Sequence, residues 1–226
     1  MSENTFRSIA PPLWLLALTV SGVNIGMALL APAIPMLRDD LSASGDEAQL
    51  VLSAFLVMLG LGQLVAGSLS DTLGRRPVLL SGSLLFTIAG AAALVAPTIE
   101  LLILARAVQG FGASACMAVG RVIINDSFDR TEAGRQLSTI TMVQSIVPLM
   151  GFAGGGLIAD FIGWRGSIGI MVLTAAVIFT ANLVLLAETN QNRVPRAPLL
   201  KVMGVFLLLV RSREFMVHAS SGALLT

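Results

Sequence analysis

The stretch AGSLSDTLGRRPVLL, residues 66–80, joins two long apolar runs through one acid, two arginines, two glycines and a proline. Asp71 and Arg75 stand four apart, the spacing at which an acid and a base meet across a helical turn. Gly74 suits the left-handed conformation that ends a helix, and Pro77 suits the first turn of the next. The stretch therefore reads as a tight helical hairpin. Its flanking runs, near 48–70 and 77–97, are about twenty residues long and do not alternate, which is the length of a membrane-crossing helix.

Composition agrees with that reading along the whole chain. Of 226 residues, 55% are hydrophobic and only 12% charged, and the mean hydropathy is +0.87, well above a soluble domain. Inside a bilayer every backbone polar group needs an internal partner, so spans are helices or closed barrels, and non-alternating runs exclude the barrel. The fold class expected is an all-α integral membrane protein. The net charge of +1 and the lack of an aromatic-interleaved basic patch speak against nucleic acid. Cys116 is a single cysteine, which excludes a disulfide framework and zinc spacing. His218 has no acid or nucleophile constellation around it, so no enzymatic site is expected. "APA" at 31–33 imitates a signal cleavage site, but the run before it is too long for a signal peptide.

Hydropathy windows predict six spans near 12–36, 48–70, 77–97, 99–124, 137–161 and 165–187. One side of them collects Arg7, Arg75, Arg76, Arg121, Arg130, Arg135, Arg193, Arg196, Lys201, Arg211 and Arg213, against Arg38 and Arg165 on the other. The positive-inside rule then places the amino terminus in the cytoplasm. The expected organisation is a cytoplasmic segment 1–11, a membrane bundle 12–187, a cytoplasmic linker 188–213 and the start of a seventh span at 214–226. Within the linker, LLKVMGVFLLLV at 199–210 is too short to cross and reads as a helix lying on the membrane surface. The seventh span reads as cut off partway.

A sparse repeat runs through the bundle. Gly67, Asp71 and Gly74 in GSLSDTLGR recur 89 residues later as Gly156, Asp160 and Gly163 in GLIADFIGW. The same offset lays the first three spans over the second three, dividing the bundle into repeats at about 12–97 and 99–187. An odd number of spans per repeat inverts the second copy, as in transporters with nested inverted repeats.

Two further stretches carry unusual residues. LARAVQGFGAS, 104–114, puts Arg106 and Gln109 on one face of the fourth span beside Gly110 and Gly112. An arginine within a span faces a partner or cavity, or snorkels to the interface. SIVPLMGFAGGG, 145–156, has Pro148 in mid-span and Gly151 and Gly155 four apart, suited to bending and to close packing. Gly67 likewise suits the approach of another helix.

At these places the sequence resembles the major facilitator superfamily, most closely its drug:proton antiporters of the bicyclomycin and chloramphenicol resistance type. Gly67, Leu69, Asp71, Gly74, Arg75, Arg76 and Pro77 match the gating-loop pattern, motif A, and RAVQGFGA at 106–113 matches motif B. The resemblance implies a secondary transporter of small organic molecules, working by alternating access, of which this chain is the amino-terminal half. It implies a latch role for Asp71 and Arg75, proton transfer at Arg106, and a path lined by Asn24, Met27, Arg106, Gln109 and Met117. No cofactor or metal is expected, and proton coupling is implied. The expected partners are a small-molecule substrate, the lipid bilayer, and a carboxy-terminal half or second copy; the expected location is the bacterial inner membrane.

Two departures qualify the direction of transport. Val147 precedes Pro148 where the antiporter motif C has glycine, and Ala28 stands where relatives carry a first-span acid. Drug efflux leads, uptake of a metabolite or vitamin follows, and an inactive half-length fragment is the reading from a different class.

Overall fold

A computed structural model describes residues 11–190. The expected surface helix, the seventh span and nearly all of segment 1–11 lie outside the described residues. Helix α1 (Leu13–Leu30) continues through a single 3-10 turn, Ala31–Ala33, into α2 (Ile34–Asp40). Then follow α3 (Gly45–Leu73), α4 (Arg75–Leu94), α5 (Ile99–Ser127) and α6 (Arg130–Leu185). Among the described residues there is no strand, and five helices are long and apolar enough to cross a membrane: the run Leu13–Asp40, α3, α4, α5 and α6.

Helices α3 and α6 start three and seven residues earlier than hydropathy alone predicts, where polar caps extend them beyond the apolar runs, and α5 starts at its predicted residue behind a cap of its own. Ser44 and Glu47 form a reciprocal capping box on α3, Thr98 accepts from the Leu101 amide on α5, and Asp129 accepts from two amides on α6. Each satisfies backbone donors that have no partner within the helix.

Helix α6 is not one straight rod. Gly163 holds φ 78° and ψ 175°, a conformation closed to other residues, and divides α6 into arms 130–162 and 164–185. Both arms pack on α1, in opposite senses. Along the first arm, Gln144 donates to the Val20 carbonyl and Gly151 lies against Ala28, so arm and helix run together. Along the second, Gly22 meets Ile178 and Thr19 accepts from Asn182 Nδ2 at 2.8 Å, so they run opposed. Gly163 is therefore a reversal. Pro148, by contrast, sits inside continuous helix.

Gly74 makes the equivalent turn between α3 and α4, with φ 109° and ψ 158°. Close helix contacts repeat as well. A Cβ at Gly62 of α3 would collide with Ser114 of α5, and a Cβ at Gly151, 89 residues after Gly62, would collide with Ala28 of α1. Gly155 lies so near Leu29 that a Cβ would stand 2.6 Å from the carbonyl oxygen, and Gly110 abuts the Phe55 carbonyl. At Gly110, Gly151 and Gly155 the missing side chain is what lets the neighbouring backbone come this near. At Gly67 a Cβ would meet open space among the described residues, as it would at its counterpart Gly156. Neither face has a neighbour among the described residues.

Candidate functional site

Three polar clusters stand out in a bundle otherwise built from aliphatic packing. The first lies at the reversal between α3 and α4. Asp71 is on the last turn of α3, Arg75 opens α4, and the Gly74 reversal swings the guanidinium back across the end of α3. Arg75 Nη1 donates to Asp71 Oδ1 at 2.5 Å and to Ser70 Oγ at 2.7 Å, while its Nε donates to Asp126 Oδ2 at 2.8 Å. Only 7% of Arg75 is exposed. A planar fork with fixed donors suits two carboxylates at once, which a lysine does not.

The segment after α6 closes this cluster. Glu188 accepts from the Arg75 amide at 2.9 Å, and Asn190 Nδ2 donates to the carbonyls of Ser70 and Asp71. Arg76 reaches the Leu183 carbonyl at 3.1 Å. The residues of the α3–α4 loop are thus engaged with α5 and with the end of α6, inside this bundle. Replacing Arg75 with lysine is expected to keep the Asp71 contact and lose the bridge to Asp126. The thermal midpoint in detergent should fall by a few degrees, corresponding to about 1–2 kcal/mol for a half-screened pair.

A second cluster occupies the opposite end. Asp40, closing α2, accepts from Trp164 Nε1 at 2.9 Å and from Arg165 Nη1 at 2.6 Å. The Arg165 guanidinium stacks 4.1 Å above the Trp164 ring, and its Nη2 reaches the Ala96 carbonyl beyond α4. Arg165 stands beside the Gly163 reversal as Arg75 stands beside Gly74, so both reversals carry an arginine-to-carboxylate joint, although the 89-residue offset lays Arg165 over Arg76 and Trp164 over Arg75.

The third cluster is Arg106. It is fully buried, with Nη1 donating to Gln109 Oε1 at 2.8 Å, Nε 3.5 Å from the Val51 carbonyl, and the guanidinium 4.3 Å over the Phe55 ring. Met171 of the second α6 arm touches Nη1 through its sulfur at 3.1 Å, and Nη2 has no hydrogen-bond partner. Arg106 therefore bridges α3, α5 and the second arm and does not snorkel.

Of the expected path residues, Arg106 and Gln109 are joined directly. Met27 and Met117 are both partly buried against one core cluster that includes Val23 and Cys116. Asn24 is half-buried on α1, outside the Arg106 network. Sequence reasoning missed Asp126 as a partner, since it stands 51 residues from Arg75 and no local spacing signals the pair. Among the described residues no group of His, Cys, Asp and Glu is arranged to hold a metal ion.

Comparison with known proteins gives the arrangement its context. The chain is 35% identical over 147 residues to the chloramphenicol resistance protein of Pseudomonas aeruginosa, covering 63% of this chain and 34% of that protein. It is 32% identical over 189 residues to multidrug resistance protein D of Escherichia coli (strain K12), covering 83% and 48%. The fold matches the human organic anion transporter MFSD10 (TETRAN), with TM-score 0.68 and 18% identity over 84% of this chain and 50% of that one. The chain thus spans less than half the length of the curated relatives it matches. Residues 16–226 match the family model of the Major Facilitator Superfamily, which covers every cluster described above. The helical hairpins, their charged reversals and this match over most of the sequence establish that the chain belongs to the Major Facilitator Superfamily.

Proposed function

We propose that this chain is the amino-terminal six-span half of a secondary transporter that exports small organic molecules by alternating access. The observation that carries it is the matching pair of reversals, Gly74 and Gly163, each beside an arginine-to-carboxylate joint at opposite ends of the bundle. Counting the two arms of α6 separately makes six spans, and the 89-residue offset then relates α1–α4 to α5–α6 as inverted repeats. Inverted repeats let one half rock as a unit, with the two joints keeping its ends closed against internal distortion. The faces at Gly67 and Gly156 are where a second six-span unit docks, either a carboxy-terminal half or another copy.

The substrate path runs between the units, past Asn24, Met27 and Met117. Chloramphenicol is the first substrate to test, since a relative is named for resistance to it. The proton gradient is the proposed driving force. Asp71, Glu100, Asp126 and Asp160 all lie near helix ends, so the coupling carboxylate is assigned to the second unit. The positive-inside count orients the amino terminus to the cytoplasm of a bacterial inner membrane.

Transport of radiolabelled chloramphenicol in inverted membrane vesicles tests the reading. Accumulation that collapses with an uncoupler supports export. Accumulation only in right-side-out vesicles supports uptake, the second reading, which Val147 at the motif C position favours. No accumulation in either removes the transport reading for the chain on its own. Arg106→Met is expected to leave the thermal midpoint unchanged or slightly raised, because an incompletely paired buried charge is replaced by an apolar side chain of similar length. Transport should fall at least tenfold. Unchanged transport would remove Arg106 from the mechanism.

A further inference from the structure

Arg121 stands apart from the other arginines of the spans. It lies within α5, six residues before Ser127, so its Cα is about 9 Å inside the helix end. It is solvent-exposed, and among the described residues its one hydrogen bond is from Nη2 to Gln144 Oε1 at 3.3 Å. Among the described residues Arg38, Arg75 and Arg165 each have a carboxylate, and Arg121, like the buried Arg106, has none. Gln144 is itself fixed, donating from Nε2 to the Val20 carbonyl of α1 at 3.4 Å. The guanidinium is thereby held sideways, across α1 toward the first arm of α6, and not along α5 toward the helix end.

An arginine facing hydrocarbon is unfavourable, by about 2.5–3.5 kcal/mol at a helix centre, and one held toward Gln144 is drawn away from the interface, which favours a polar cavity on this face. The surroundings agree. Met117, Arg121 and Asn125 stand at successive four-residue steps on α5, one face of the helix. The first arm adds exposed Thr141 and Ser145, whose hydroxyls donate to their own helix and keep lone pairs free. This is a surface with one strong, unneutralised cation and several acceptors.

We infer that Arg121, held by Gln144, binds the negatively charged group of an organic anion, a carboxylate, sulfonate or phosphate, in the substrate path one helical turn beyond Met117. The inference rests on the transport reading for the location of the path. The guanidinium supplies paired donors to the anion, and the amide of Gln144 sets their direction. Neutral substrates with strong acceptors bind there more weakly, and organic cations are excluded from that end of the path.

Binding tests this without requiring transport. The purified chain in phosphatidylcholine nanodiscs is titrated with fluorescein, a dianion at neutral pH, and with the cation ethidium, each followed by fluorescence anisotropy. Saturable fluorescein binding is expected, with Kd raised tenfold or more in Arg121→Gln and less than threefold in Arg121→Lys. Ethidium binding should be unchanged in both variants. Arg38→Gln, at the opposite end, should leave fluorescein binding intact. If Arg121→Gln fails to fold, the decision passes to Gln144→Leu, which is expected to weaken fluorescein binding at least threefold and to leave ethidium unaffected. The inference is overturned by absence of saturable fluorescein binding to the unmodified chain, by an unchanged Kd in Arg121→Gln, or by equal loss of both dyes. Fluorescein binding that disappears when phosphatidylglycerol is added to the discs would give the site to a lipid headgroup and also overturn it. Intact anion binding by a chain that moves no chloramphenicol would remove transport by this chain on its own and leave the anion site standing.

Discussion

Gly110→Val is expected to separate α3 from α5 and to leave little folded protein. A Cβ at position 110 would overlap the Phe55 carbonyl oxygen and lie 3.0 Å from the Phe55 Cα and carbonyl carbon. All three are backbone atoms, so no rotamer change relieves the clash, and the whole of α3 must retreat. The retreat also pulls Phe55 from the Arg106 guanidinium and Val51 from its Nε, uncovering a buried charge. The expected loss is about 4 kcal/mol or more, the range in which a single change unfolds a marginal protein. Size-exclusion chromatography in mild detergent should show the monodisperse peak reduced to a small fraction. Gly67→Val is the matched control, because its Cβ would meet open space, and it should elute like the unmodified chain.

Gly163→Val should have the second largest effect, through the backbone. With φ 78° and ψ 175° the position is closed to a β-branched residue, and forcing it costs about 3 kcal/mol. The alternative for the chain is to continue α6 without a break. A rod of 56 residues would be about 84 Å long, nearly three times the hydrocarbon thickness. Straightening would carry Asn182 away from Thr19 and Arg165 away from Asp40. A disulfide between Thr19→Cys and Asn182→Cys, in a Cys116→Ser background, reports this directly. It should form readily with Gly163 present and fall below a third of that yield in Gly163→Val; equal yields would show that the reversal does not depend on the glycine.

Much of the architecture was legible because local rules govern it. Spans follow from apolar length, the α3–α4 hairpin from Gly74 and Pro77, and the Asp71–Arg75 pair from four-residue spacing, which the structure realises at 2.5 Å. The Arg106–Gln109 pairing was legible for the same reason, since both lie on one helix face. What local rules miss is which helix comes to which face. Asp126 and Asp40 complete ion pairs with residues 51 and 125 positions away. Small residues mark places where helices are able to approach, yet among the described residues Gly62, Gly110, Gly151 and Gly155 meet a neighbouring helix and Gly67 does not, because only the fold supplies a neighbour.

Arg121 illustrates a different limit. In a charge count near a span boundary it joins the cytoplasmic total, since such counting tolerates errors of a turn or two. The structure keeps it inside the fourth span, where hydropathy already placed it, and couples it to Gln144, whose own sequence surroundings, TMVQSIV, give no hint of a charge partner.

The embrace of α1 by the two arms of α6 also bears on how the protein is made. Val20 is translated 124 residues before Gln144, and Thr19 precedes Asn182 by 163. At 5–20 residues per second, α1 waits about 6–25 s for its first partner in that embrace. During that interval the side of α1 bearing Thr19 and Gly22 faces lipid or an insertion factor. Its other face already meets α5 at Gly120, so a ribosome stalled before residue 144 would release a chain whose first helix is only half enclosed.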